Sequence, residues 1–305
     1  MIITHSSLEC FKCCRRKYKY RYLTGICPKE ASNALQFGSA MHEILQQLFE
    51  TIEAQQHQNV DEYEAKEQII SRLQSMIDIA DLEVTDRAKL KGLISGYVNK
   101  WYDSDCKNWE IVDVEREFNH QVGTIYSHVF CGKADGIIKD KETGKYYILE
   151  HKTAALVNDD YISQKQIDSQ TMTYATFLSE EMGIEISGAI HDIITKQKIR
   201  LKKGESEDEF CQRLIEDVSE ENFERVVVEF DKNEINDFYV ELMHSVNDLI
   251  YCDSFYRCTG QCIGRFGACE YLPLCRNKGD LSGIEELYTK RKPHEEISDN
   301  TLEGE

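Results

Sequence analysis

Proline is scarce in this chain, with three in 305 residues, and no run of about 18 apolar residues occurs anywhere. The missing apolar run excludes a membrane-spanning helix. No repeats or low-complexity linkers break the sequence, which argues against a string of independent modules. The opening MIITHSSLECFKCCRRKYKYRY lacks an apolar segment followed by a small-residue cleavage site, so it does not read as a secretory signal, and a cytoplasmic location is expected. The phosphate-binding pattern G-x-x-x-x-G-K-[ST] is absent, so no ATP-driven motor is encoded. Positive charge is also in deficit: 36 Lys and Arg face 55 Asp and Glu, a formal net charge of -19. A protein whose whole surface grips nucleic acid is thereby excluded.

The charge is unevenly spread. Residues 1–30 carry seven cations (Lys12, Arg15, Arg16, Lys17, Lys19, Arg21, Lys29) against Glu9 and Glu30, while 204–222 and the tail HEEISDNTLEGE are acidic. Apolar residues make up 41% of the chain, enough for a sizeable core. The pattern predicts a basic helix over 6–23 with Ser6 or Ser7 as N-cap. An amphipathic helix over 33–57 buries Leu35, Met41, Leu45, Leu48 and Phe49, and further helices follow at roughly 60–80 and 85–103. A polar break at Ser104–Asn108 precedes strands at 111–122, 127–140 and 145–152, the last two joined by a turn at Lys141–Gly144. Then come a helix over 160–182, strands at 186–199 and 224–230, a helix near 232–250 and a Cys-rich segment. This order implies one α/β core with a helical insertion.

The stretch YYILEHKT, residues 146–153, reads as a core strand that ends by placing Glu150 and Lys152 two residues apart, hence on one face. The turn at 141–144 lays the Asp135 strand antiparallel to it, so Asp135 and Glu150 approach each other. Two neighbouring carboxylates are costly without a cation between them. Hard oxygen ligands favour Mg²⁺ or Mn²⁺. With Lys152 to orient a water or neutralise charge, the group suits hydrolysis of a phosphodiester; a surface Asp and a plain Glu–Lys pair is the simpler reading of the triplet alone. His42 follows Gly38 by four residues on one helix face, and Gln170 and Tyr174 share another.

The motifs GSAMH, KADGII, YYILEHKT and QTMTY, in this order, resemble those of the RecB-type branch of the PD-(D/E)XK nuclease superfamily. The resemblance spans roughly residues 6–275. It implies a restriction-endonuclease-like core sheet flanked by helices, with a helical N-terminal insertion. It further implies that His42, Asp135 and Glu150 bind Mg²⁺ or Mn²⁺, that Lys152 assists the attacking water, and that Gln170 and Tyr174 position DNA or the lysine. Glu117, or less readily Glu115, stands where this family often has another acid.

Twelve cysteines are many for a reducing compartment, where clustering points to metal or catalysis rather than disulfides. Cys106, Cys131 and Cys211 are scattered and read as buried small hydrophobes. Cys262, Cys269 and Cys275, spaced C-x6-C-x5-C, are too loosely set for a zinc ribbon. They resemble the terminal cluster of iron–sulfur nucleases of the AddB and CRISPR-adaptation types. The resemblance implies a 4Fe–4S cluster on Cys14, Cys262, Cys269 and Cys275, joining both chain ends in one cap. Cys13 and Cys10 remain alternatives to Cys14, Cys258 is an alternative at one corner, and zinc on the same thiolates or buried free cysteines are other readings.

The expected organisation is a single nuclease domain over 1–280. The cap consists of 6–23 and 258–275, a helical region covers 33–103, the catalytic core covers 110–230, and an acidic tail covers 281–305. Arg15, Arg16, Lys17, Lys19 and Arg21, interleaved with Tyr18, Tyr20 and Tyr22, read either as a track for single-stranded DNA or DNA ends, or as a solvated face with the tyrosines packed inward. The expected activity is a divalent-metal-dependent DNA exonuclease in recombination, repair or end processing, of the standalone type found in phages. Any helicase or recombination protein would be a separate partner. The alternatives are an inactive nuclease-fold DNA-binding protein, a CRISPR-adaptation factor, and an acidic protein whose cysteines sense redox state or bind zinc.

Overall fold

The computed structural model describes residues 1–30, 32–58, 63–123, 128–264, 267–295 and 297. In chain order the first elements are β1 (Ile2–Ile3), α1 (His5–Cys13), α2 (Arg15–Tyr18), β2 (Ile26–Pro28), α3 (Asn33–His57), α4 (Lys66–Ile79) and α5 (Val84–Asn108). Next come β3 (Trp109–Val122), β4 (His128–Asp140), β5 (Tyr146–Ala154), α6 (Asp159–Lys165), α7 (Ser169–Met182), β6 (Ile186–Thr195), α8 (Glu207–Glu216), β7 (Phe223–Glu229) and α9 (Lys232–Ile250). The chain continues with β8 (Ile263–Gly264), β9 (Gly267–Ala268), α10 (Leu272–Arg276) and β10 (Tyr288–Lys290). Two compact units result. One holds Met1–Ser32, Glu117–Lys133 and Asn236–Glu305, and the other Asn33–Arg116 and Ala134–Ile235.

The second unit is a mixed sheet flanked by helices. β4 and β5 are antiparallel, β5 and β6 parallel, and β6 and β7 antiparallel. Alternation along the strands divides the sheet into two faces. Tyr147, Leu149, Ile190 and Ile194 join one core with Met41, Leu45, Leu48 and Phe49 of α3, Leu73 and Ile77 of α4, and Leu93, Ile94 and Tyr97 of α5. The alternate residues of β5 and β6 face α7. That helix starts where Asp168 accepts from the amides of Gln170 and Thr171, and stops where Gly183 turns left-handed at φ 65°.

Several expectations for local structure are corrected. The helix expected at 6–23 starts one residue earlier, at His5, on a capping box of Thr4 and Ser7, so neither Ser6 nor Ser7 is the N-cap. It breaks at Cys14, whose backbone is extended (φ -160°), and resumes as α2 and a wider π turn over Lys19–Leu23. Tyr18, Tyr20 and Tyr22 are buried, which favours the inward-packed reading of that segment. Leu35 is exposed rather than part of the apolar face of α3. The expected break at 104–108 is helical, because Asp105 and Cys106 are buried and Asp105 is bound by Arg225. The 160–182 helix divides between α6 and α7, each with its own side-chain cap. Cys106 and Cys131 are buried as expected, but Cys211 is only half-buried on amphipathic α8. The starts expected near 60 and at 127, and tail residues 298–305, lie outside the described residues.

α5 lies close against the α8–β7 connection. A methyl group on Gly96 would come 2.6 Å from Val218 Cγ1 and 2.9 Å from the Phe223 ring, and one on Gly92 2.8 Å from the Ile215 carbonyl oxygen. Gly96→Ala is therefore expected to lower stability by about 1–3 kcal/mol through overpacking. Gly260→Ala, where a methyl meets nothing within 4 Å, should leave the urea midpoint unchanged.

Candidate active site

The register of β4 and β5 pairs Gly136 with Leu149 and Ile137 with Ile148, which sets Asp135 opposite Glu150. Both oxygens of Asp135 are engaged. Oδ1 lies 3.2 Å from His42 Nδ1, and Oδ2 accepts the His151 amide at 2.8 Å. α3 delivers His42, running alongside β5 so that Gly38 lies over Thr153. Glu150 is buried (1% exposed) and accepts from Lys152 Nζ through Oε1, in a short contact. Lys152 also donates to Gln170 Oε1 at 3.0 Å, and Gln170 Nε2 donates to the Tyr174 hydroxyl at 3.0 Å. The i, i+4 spacing on α7 thus continues the Glu150–Lys152 pair into a line of four side chains. All six residues named by sequence, His42, Asp135, Glu150, Lys152, Gln170 and Tyr174, are brought together.

The other Glu150 oxygen, Oε2, is buried with no hydrogen-bond partner among the described residues. Burial, together with the charge of Asp135, raises the Glu150 pKa to about 7 against the pull of Lys152. Burial also acts to raise Asp135, but the His42 hydrogen bond and charge, with His151, hold it below the usual carboxylate value. Burial opposes charge on His42 and Lys152, yet Asp135 keeps the imidazole and Glu150 keeps the amine raised. The site is two carboxylates, one with a single oxygen left without a hydrogen-bond partner, faced by an imidazole and an ammonium. A hard divalent cation fits this donor set: Glu150 Oε2 and Asp135 supply oxygen and His42 supplies nitrogen. Among the described residues, no three His, Cys, Asp or Glu side chains are already drawn into a metal cage.

Behind the sheet lies a buried network that sequence reasoning missed. The His151 ring sits between Phe49, at 5.2 Å, and Asp192, whose Oδ2 is 3.2 Å from Nδ1. Asp192 accepts from the Tyr97 hydroxyl and from Arg225 Nε at 3.3 Å, and Arg225 binds both oxygens of Asp105 at 2.6 and 2.8 Å. Trp101 and Trp109 flank the guanidinium at 4.2 and 4.4 Å. His191 of β6, paired with Glu150, is also buried, and its burial lowers the pKa to about 4. A single Asp in a β-rich run carries no sign of such a network, whose links include spans of 33 positions (Asp192 to Arg225) and 120 (Asp105 to Arg225). Glu115 and Glu117 are half-buried on β3, where Glu115 adopts a left-handed backbone at φ 54°.

In the first unit, Cys13, Cys14, Cys258, Cys262, Cys269 and Cys275 line one cavity of about 340 Å³. The extended backbone at Cys14 turns its Sγ to accept from the Cys258 amide at 3.4 Å. Cys10 does not line the cavity. Burial raises the thiol pKa values of Cys13, Cys269 and Cys275. The N- and C-terminal segments of this unit also meet directly: β2 pairs with β10, and the Tyr271 hydroxyl donates to the Ile26 carbonyl at 2.8 Å. The basic residues here are largely occupied. Arg15 lies between the Phe11 and Tyr256 rings, Arg16 Nε donates to the Phe255 carbonyl at 2.6 Å, and Lys17 pairs with Glu270 at 2.9 Å. Lys19 and Arg21 are exposed.

An Asp opposite a Glu-x-Lys strand end, on a mixed sheet flanked by helices, defines the nuclease class of α/β folds. The family model of the PD-(D/E)XK nuclease superfamily matches residues 2–276, and the chain belongs to that superfamily. Its fold is therefore restriction-endonuclease-like, and nucleases of the superfamily generally use divalent metals. A crystal structure of a protein from Eubacterium rectale, provisionally described as an exonuclease, aligns with a TM-score of 0.47 at 12% identity, covering 90% of this chain and 87% of that one. No curated protein matches. Among the described residues, no helix is long and apolar enough to cross a membrane.

Removing the one cation of the buried network leaves Asp105 and Asp192 uncompensated. Arg225→Met is expected to cost about 3–5 kcal/mol. Arg225→Lys, which keeps the charge but loses the two-pronged contact with Asp105, should fall between it and wild type in denaturant titrations.

Proposed function

We propose that this chain is a divalent-metal-dependent DNA exonuclease acting at Asp135, Glu150 and Lys152. The observation that carries this reading is the buried, unpartnered Oε2 of Glu150 beside Asp135. An oxygen in that state is costly unless a cation completes it. A bound Mg²⁺ or Mn²⁺ would supply positive charge to a phosphodiester oxygen and a more acidic water. His42, Asp135 and Glu150 would hold it. Lys152, fixed from two sides by Glu150 and Gln170, keeps its ammonium at the mouth of the site, where it orients the water and offsets charge on the phosphate. The Lys152 ammonium, a donor only, faces the Gln170 amide oxygen, and the Tyr174 hydroxyl accepts from the amide nitrogen. Lys19 and Arg21 would contribute to DNA binding by the N-terminal segment. The biological setting proposed is recombination, repair or end processing.

We further propose a structural 4Fe–4S cluster on Cys14, Cys262, Cys269 and Cys275, supported by the cavity those four thiols share, with Cys258 as a neighbouring fifth. Four sulfurs are what such a cluster requires.

The test is cleavage of end-labelled single- and double-stranded linear DNA by anaerobically purified protein with Mg²⁺, Mn²⁺ or EDTA. Lys152→Ala and Asp135→Ala should each lower the rate by about 10²–10⁴-fold, and EDTA should abolish it. Retained DNA binding with no cleavage by wild type would leave the inactive binding module instead. Iron and acid-labile sulfide should co-purify with wild type and be lost on Cys262→Ser; zinc at one equivalent would replace the cluster assignment.

A further inference from the structure

The loop after β6 reads KQKIRLKK, residues 196–203, and places five cations (Lys196, Lys198, Arg200, Lys202, Lys203) in eight residues without an acid, in a chain of net charge -19. Its position connects it to the candidate active site. β5 and β6 are parallel, and Ala154 at the end of β5 is in register with Thr195 at the end of β6. Lys152 is two residues, about 7 Å, from that same edge. The loop leaves the edge at once: the Lys196 amide donates to the Ala154 carbonyl at 3.0 Å. Lys196 then lays its ammonium 3.8 Å from the Phe37 ring, five residues before His42 on α3. The loop root therefore touches both the strand that carries Glu150 and Lys152 and the helix that carries His42.

The loop is also held in shape. Buried Gln197 donates to the Lys89 and Leu214 carbonyls, both at 3.1 Å, and Arg213 donates to the Arg200 carbonyl at 2.9 Å while pairing with Glu205. These bonds use the backbone and Gln197, leaving the cations outward. Lys198, Arg200, Lys202 and Lys203 are exposed, and none of their side chains forms an ion pair among the described residues. Arg15, Arg16 and Lys17, three of the five cations first expected to meet DNA, are by contrast held by rings, a carbonyl and a carboxylate of their own unit, while Lys19 and Arg21 are exposed. Of the nearby acids, Glu205, just before α8, pairs with Arg213, and Glu209 of α8 accepts in the Ser206 capping box.

We propose that residues 198–203 form the phosphate-backbone clamp that leads a nucleic-acid strand to the Asp135–Glu150–Lys152 site. This inference rests on the nuclease reading. A row of solvated cations beside a phosphodiester site is the arrangement by which counterion release draws in a polyanion.

The experiment measures binding of labelled single-stranded DNA in EDTA, across a salt series, by wild type and by Lys198→Gln/Arg200→Gln/Lys202→Gln/Lys203→Gln. Lys232→Gln, at an exposed cation of the same unit, controls for charge loss elsewhere. The loop variant should bind about 10–100-fold more weakly at low salt, and its log–log salt slope should shrink by about 3, since each phosphate contact contributes about 0.7. Hydrolysis of a small nitrophenyl phosphodiester, too short to reach the loop, should be unchanged. A folded loop variant with wild-type affinity and slope, alongside a wild type that cuts DNA, would overturn the clamp alone. A wild type that neither binds nor cuts DNA would overturn the nuclease reading and the clamp with it.

Discussion

The arrangement of the second unit depends on one constraint, a glutamate carboxylate taken out of water. Glu150 lies at the end of a core strand and is 1% exposed, with one oxygen held by Lys152 and the other unpartnered. A buried ion is costly unless paired and hydrogen-bonded. Its surroundings supply part of that compensation: Lys152 from the same strand, Gln170 and Tyr174 from α7, and His42 from α3 through Asp135. The elements that meet at Glu150 are the elements that pack the sheet, so the proposed site and the core share their supports.

The second buried charge system reinforces the first from behind. Asp105, Arg225, Asp192 and His151 run from the end of α5, through β7 and β6, to β5. His151 in turn donates its amide to Asp135. A purely apolar layer at these positions would be simpler to fold, and buried ionic networks are weak evidence for stability. What this one does is fix the backbone between Glu150 and Lys152 from the opposite face of the strand, where the alternation of β5 directs the intervening side chain.

The first unit solves a different problem, holding the two ends of the chain together. Strand pairing between β2 and β10 and ring contacts among Tyr20, Tyr271 and Tyr288 do so directly. The break at Cys14 matters here. A continuous helix would carry Cys14 onward on the helix surface, whereas the extended residue directs its sulfur to the Cys258 amide and into the thiol-lined cavity.

Much of the second unit was legible in the sequence because its signals are local. Strand alternation put Glu150 and Lys152 on one face, a four-residue turn fixed the register that sets Asp135 opposite, and helical spacing joined Gln170 to Tyr174. Local patterns also misled where a distant partner overrides them. The polar run 104–108 stays helical because Arg225 compensates Asp105, and the cations Arg15, Arg16 and Lys17 are occupied by groups about 240 to 255 residues away. By itself the sequence determined the shared face of Glu150 and Lys152, the turn that lays Asp135 opposite and the helical pairing of Gln170 with Tyr174, since periodicity and turn chemistry act over a few residues; the fold class and the gathering of His42 and Gln170 at the site were implied by the resemblance of the ordered motifs. Only the tertiary structure decided which charges are buried, which oxygen lacks a partner and which cations face solvent, because burial is created by contacts between segments far apart in the chain.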